Sequence, residues 1–192
     1  MELHSDRLIL REYVEDDWRA VFGYQSDERY WRFYGDEARR TEEGARQMVR
    51  MFCGWQVEHP RTRYQLPVTL QDDGRLIGSC GLRVRRLVDH GRADAGWEAD
   101  IGYEIDPLLW GNGYATEAAA CIVRFGFEEL NLHRVWTYCI AENVASRRVM
   151  EKLGMQFEGR LRQNEWMQGR WWDSDVYGLL EAEWRGLTSS QT

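Results

Sequence analysis

No apolar run in this 192-residue chain approaches the roughly 18 residues that a membrane-crossing helix needs. There is no CxxC pair either. The four cysteines, Cys53, Cys80, Cys121 and Cys139, are scattered among apolar neighbours and read as small buried hydrophobes in a reducing compartment. The four histidines, His4, His59, His90 and His133, show no i,i+4 pair and no metal-ligand spacing, so no metal is expected and zinc or iron chemistry is disfavoured. Lysine is almost missing: Lys152 stands alone, and arginine carries the remaining basic charge. A net charge of −7 argues against a nucleic-acid partner, whose grip depends on neutralising phosphates, and leaves room for a cationic substrate such as an amine. The opening residues MELHSDRLILRE carry no charged-then-apolar leader, so the expected location is the cytoplasm, without membrane contact.

What is present reads as globular. Hydrophobic residues make up 43% and charged residues 30%, proportions of a folded chain long enough for one sizeable core. One domain over residues 1–186 is expected, with 187–192 (LTSSQT) as a flexible tail.

The stretch DRLILREY alternates apolar and polar residues and predicts a strand over Arg7–Arg11. Spacing then becomes helical: Val14, Trp18, Val21 and Phe22 share one face behind an acidic first turn. Thr41 is placed to cap a longer helix in TEEGARQMVRMFCGWQVEHP. Period two returns in YQLPVTLQ and RLIGSCGLRVRRL, a hairpin across DDG. A loop, VDHGRADAG, leads to the strand WEADIGYEID. A helix from about Gly113 to Leu130 follows, then a strand in HRVWTYCI and a short helix, NVASRRVMEK, that Gly154 ends. Two strands joined near QGR close the pattern. The order is β-α-α-β-β-β-α-β-α-β-β. The strands at 98–105 and 133–140, joined by a helix, should be parallel with a right-handed crossover. That is an α/β fold with a mixed sheet.

The turn DPLLWGNGYATEA places two glycines between a strand and a helix N-terminus, where free amides and the helix dipole favour an anion. Gly111 and Gly113 would let a phosphate approach bare backbone. A tight turn without a ligand is the plain alternative. A P-loop needs GxxxxGK(S/T), and a dinucleotide fingerprint needs a third glycine where Thr116 stands; neither fits. WGNGYA does match the acyl-CoA pyrophosphate loop of the GNAT acyltransferases, Gln/Arg-x-x-Gly-x-Gly/Ala, over its last four positions, with Trp110 replacing the usual first residue. About thirty residues on, NVASRRVMEKLGM (143–155) resembles the second CoA-contacting segment of these enzymes. With DRLILRE near the start and WWDSDVYGLLEAEW near the end, nearly the whole chain resembles the RimJ/RimL group of ribosomal-protein N-acetyltransferases.

The resemblance implies a single-domain GNAT fold with a splayed parallel strand pair, and acetyl-CoA as cosubstrate. It implies that the amide of Ile105 faces the thioester carbonyl and helps to stabilise the oxyanion. Amides of Gly111, Asn112, Gly113, Tyr114 and Ala115, at the helix start that includes Thr116, would receive the pyrophosphate. Asn112 stands where a lysine is common. Asn143, itself a good helix cap, would also touch the cofactor arm. Seven residues after it, where many GNAT enzymes carry a tyrosine proton donor, this chain has Met150; the group points to Ser146 instead. For the base the resemblance offers Glu165 first and Glu104 second, each of which could equally be an ordinary strand carboxylate. Tyr30, Trp31 and Phe33, with Trp166, Trp171 and Trp172, fall in segments that border the acceptor cleft in this family, and each could instead be core. The implied partner is an amine acceptor, a peptide N-terminus or a small amine. A homodimer is one open arrangement. Other readings are a polyamine, amino-acid or antibiotic acetyltransferase, or a non-catalytic acyl-CoA-binding domain.

Overall fold

Alternation settles the strand at residues 8–11 of the computed structural model, which describes residues 1–34, 40–87 and 96–189. In β2 (Leu8–Arg11), Leu8 and Leu10 are fully buried, and Ile9 and Arg11 are half-buried. This strand pairs antiparallel with β1 (Glu2–His4) on one side and β3 (Arg63–Leu70) on the other. The remaining strands are β4 (Leu76–Arg86), β5 (Trp97–Ile105), β6 (Arg134–Ile140), β7 (Gln156–Met167) and β8 (Arg170–Leu180). Pairing gives an eight-stranded sheet in the order β1-β2-β3-β4-β5-β6-β8-β7. The helices are α1 (Trp18–Gln25), α2 (Glu42–Gln56), α3 (Tyr114–Glu128), α4 (Val144–Lys152) and α5 (Glu181–Ser189). No helix among the described residues is long and apolar enough to cross a membrane.

Contacts divide the chain into two compact units, residues 1–81 with 102–122 and residues 82–101 with 123–192. The first has its core where α1 and α2 bury their apolar faces: Ala45, Met48, Val49 and Phe52 meet Tyr13, Val21, Tyr24, Tyr30 and Trp31. Thr41 caps α2, its hydroxyl accepting from the amide of Gly44 at 3.0 Å. Trp18 and Phe22 pack on this core as their spacing predicts, but Val14 is 56% exposed. The reason is local: Val14 precedes a 3-10 turn at Glu15–Asp17, and its amide is held by the Asp17 carboxylate at 2.9 Å, outside the helix.

In the second unit β5 and β6 run parallel, pairing Glu98–Asp100 with Arg134–Trp136. Both strands continue past this short ladder, and there the Thr137 hydroxyl donates to the carbonyl of Ile101 at 2.8 Å. The expected parallel pair within a mixed sheet is present. Gly154 ends α4 at φ +78°, and a Cβ there would lie 2.3 Å from Cδ1 of Leu187 on α5. Of the residues expected as a tail, 187–189 belong to α5, and 190–192 lie outside the described residues. Most of the expected loop VDHGRADAG, residues 88–95, also lies outside them.

Candidate active site

At the end of β5 the chain enters a braced turn. Asp106 donates its amide to Ile77 at 2.7 Å and accepts the amide of Leu108 on its carboxylate at 2.9 Å. The Trp110 indole donates to the carbonyl of Ile105 at 2.7 Å, so this residue, anomalous in the motif, ties the turn to the strand. The Asn112 amide donates to Leu109 at 3.0 Å, bracing the turn from within. Gly111 and Gly113 have φ of +85° and +84°, a region in which a side chain is strained. Nothing lies within 4 Å of a Cβ built at Gly111, and at Gly113 only Arg7 approaches, at 3.6 Å. The first bond of α3 runs from Glu117 to Gly113 at 3.0 Å, so the amides of Tyr114, Ala115 and Thr116 have no acceptor within the helix. The result is an exposed backbone concavity rich in donors, at the positive end of a fifteen-residue helix.

One residue before Ile105, the Glu104 carboxylate is held on both oxygens. Tyr24 donates its hydroxyl to Oε1, Tyr30 donates to Oε2, and the Gln25 amide lies 3.4 Å from Oε1. Burial first, and the Glu104 charge second, push the Tyr24 and Tyr30 phenols well above their usual range, so both stay protonated donors. Tyr13 is raised for the same two reasons. Gln25 is 1% exposed, and its Oε1 has no hydrogen-bond partner among the described residues. It lines a cavity of about 170 Å³ with Phe22, Ser26, Glu28, Trp31 and Arg40. Of the aromatics expected at the acceptor, Tyr30 and Trp31 are core residues that reach this region through a hydroxyl and one cavity wall. Phe33 is half-buried under the Arg32 guanidinium, 5.2 Å from its ring centroid.

In the second unit Asn143 caps α4, its Oδ1 accepting the amide of Ser146 at 3.1 Å. The Cys139 thiol donates to the carbonyl of Asn143 at 3.9 Å, and its pKa is pushed up to about 11 by burial and by Asp175, with the Ser146 side chain opposing. Met150 is fully buried. Glu165 follows a register shift in β7, pairs with Trp172 across to β8, and accepts from Asn164 at 3.3 Å. The half-exposed Tyr138 phenol is raised by burial and then by its contact with Glu165. Trp166 and Trp171 face each other across the hairpin, centroids 5.2 Å apart, both largely exposed. Trp172 points the other way and is buried, its indole donating to Met167 at 3.0 Å.

The sequence profile of the acetyltransferase (GNAT) domain matches residues 7–156. The chain belongs to the GNAT acetyltransferases. It is similar to the uncharacterized N-acetyltransferase YnaD of Bacillus subtilis (strain 168), 36% identical over 96% of this chain and 99% of that one. Its structure is similar to that of a GNAT-family acetyltransferase from Bacillus anthracis, 31% identical, with a TM-score of 0.77 over 95% of this chain and 99% of the other. The ribosomal-protein-S5-alanine acetyltransferase of Vibrio fischeri shares the fold at 18% identity, with a TM-score of 0.78 over 96% and 98% of the two chains.

Three residues of this GNAT chain near the sites escaped the sequence reading. Tyr24 and Gln25 end α1 and meet Glu104. Arg7, one residue ahead of β2, meets the glycine turn through Asn112 and Glu117. Only the placement of Arg7 inside DRLILRE, a segment that carried the family resemblance, offered a signal.

Proposed function

We propose that this GNAT acetyltransferase uses acetyl-CoA to acetylate a primary amine, a protein N-terminal α-amine or a small-molecule amine, by direct transfer between two bound substrates. The backbone concavity at 111–116 is the observation that carries this reading: uncommitted amides, two glycines in the left-handed region and a helix N-terminus suit a pyrophosphate. Bound acetyl-CoA would supply the activated acetyl group. The amides of Gly111 to Thr116 would hold its phosphates, and the Ile105 amide would face the thioester carbonyl. Because Oδ1 of Asn143 caps α4, the Nδ2 of the same side chain is the group left to donate to the cofactor arm. Ser146 would deliver a proton to the departing thiolate.

The acceptor amine is cationic at neutral pH and must lose a proton before it attacks. Glu104 is the better supported of the two carboxylates. Its oxygens are fixed by the hydroxyls of two buried tyrosines whose phenols are raised well above their usual range, so the carboxylate is aimed, and an acceptor ammonium drawn to it would leave its proton there. Glu165, favoured from the sequence, has an asparagine and a half-exposed tyrosine for support.

Thiol release from acetyl-CoA, followed with a panel of small amines and N-terminal peptides including ribosomal-protein N-termini, tests the proposal. Glu104→Gln should lower kcat/KM by about a hundredfold or more, and Glu165→Gln by much less. CoA binding without turnover of any acceptor would instead mark a non-catalytic acyl-CoA-binding domain.

A further inference from the structure

An acidic residue in the first turn of a helix usually stabilises it by sitting in the positive field of the N-terminus. In α3 that residue is Glu117, and the same field is the one assigned above to phosphates. A bare carboxylate here would compete with the ligand and repel it.

Glu117 is not bare. Its Oε1 accepts the Ser5 hydroxyl and the Arg7 amide, both at 2.8 Å. Its Oε2 accepts Nε of Arg7 at 2.8 Å and Nη2 at 2.6 Å. That Nη2 also donates to the carbonyl of Asn112 at 3.2 Å, and the guanidinium lies over the Tyr114 ring, 4.5 Å from its centroid. One arginine thus covers the carboxylate and touches the glycine turn on both flanks of Gly113. Because the Asn112 carbonyl belongs to the peptide whose amide is that of Gly113, the bond also polarises one donor of the concavity. The Arg7 guanidinium is half-exposed, so it adds little to the stability that the Ser5 hydroxyl and the Arg7 amide draw from Glu117. The convergence of Nε and Nη2 on one carboxylate oxygen, and the link to the turn, suit a role in anion binding.

We infer that Arg7 is a positioning residue for the phosphate turn: it screens the Glu117 carboxylate from the phosphates and holds the Asn112–Gly113 peptide toward them. This rests on the acetyl-CoA reading of the turn. Calorimetric titration of CoA at low salt into the wild type, Arg7→Met, Glu117→Gln and the double variant tests it, with thermal melts as the folding control. Arg7→Met should weaken CoA about five- to tenfold, since it unmasks a charge beside the site. Glu117→Gln should tighten binding, because it leaves an unopposed guanidinium there, even as the melting temperature falls. The double variant should return to within about twofold of the wild type. A double variant as weak as Arg7→Met would overturn the inference, since Arg7 would then be contacting phosphate directly or merely latching the chain. Should Arg7→Met not fold, Glu117→Gln decides alone, and unchanged or weaker binding defeats the screening role. A wild type that binds no CoA removes the reading of the turn itself, and this inference with it.

Discussion

Tyr24 donates its hydroxyl to Glu104, a residue eighty positions later in the chain, and Tyr30 donates to the other oxygen of the same carboxylate. Each tyrosine therefore fixes one oxygen of the carboxylate proposed as the base. Tyr24→Phe removes one bond while keeping the ring in the core. The kcat/KM for the amine should then fall about tenfold near neutrality, with KM for acetyl-CoA unchanged. An unchanged kcat/KM would show that these bonds do not serve the base.

Gly113→Val places a β-branched side chain at a φ of +84°. The strain, of order 1–2 kcal/mol, is too small to unfold a domain but is concentrated in the glycine turn proposed to hold the phosphates. CoA binding measured by titration should fall by more than about tenfold while the far-ultraviolet spectrum stays native.

Asn143 and Ser146 separate structure from chemistry on α4. Asn143→Ala removes the cap and should cost about 1 kcal/mol, a drop of about 2–4 °C in Tm, together with weaker acetyl-CoA binding. In Ser146→Ala the capped group, the backbone amide, is retained. Its Tm should be nearly unchanged while kcat falls at least about tenfold, and an unaltered kcat would dismiss Ser146 as the proton donor.

The Glu117 latch makes stability depend on pH. Partial burial raises this carboxyl, but the Arg7 amide and guanidinium and the Ser5 hydroxyl outweigh it and hold the group below its ordinary 4.5. A depressed carboxyl stabilises the fold fully above its unfolded value and loses that contribution as pH falls through the folded one. Between about pH 6 and about pH 3.5 the wild type should therefore lose more Tm than Glu117→Gln does. Equal losses in scanning calorimetry would count against the latch.

Element order was legible because helices and strands write their periods into neighbouring residues. β1 was not, since Glu2–His4 is too short to show alternation, and α5 was hidden by a polar sequence interrupted by Gly186. The glycine turn could be read because its parts lie side by side in the chain. The Tyr24–Glu104 bond joins residues eighty positions apart, and the Arg7–Glu117 pair 110; no local pattern encodes either. Adjacent tryptophans make the same point in miniature. Trp171 and Trp172 are indistinguishable by composition, and only the register of β8 sends one outward to Trp166 and the other into the core.

Cys139, beside the proposed proton donor and with a pKa of about 11, bears on redox behaviour. The proposed reaction frees one CoA thiol per turnover, and oxidised CoA is a ready partner for disulfide exchange. Exchange is carried by thiolate, and at neutral pH a group with that pKa is ionised in only about one molecule in ten thousand. With 7% of its surface accessible, Cys139 is also shielded from approach. Oxidative stress that converts the product to disulfides should therefore leave this thiol unmodified, so that Ser146 keeps its neighbour while the surrounding thiol pool changes state.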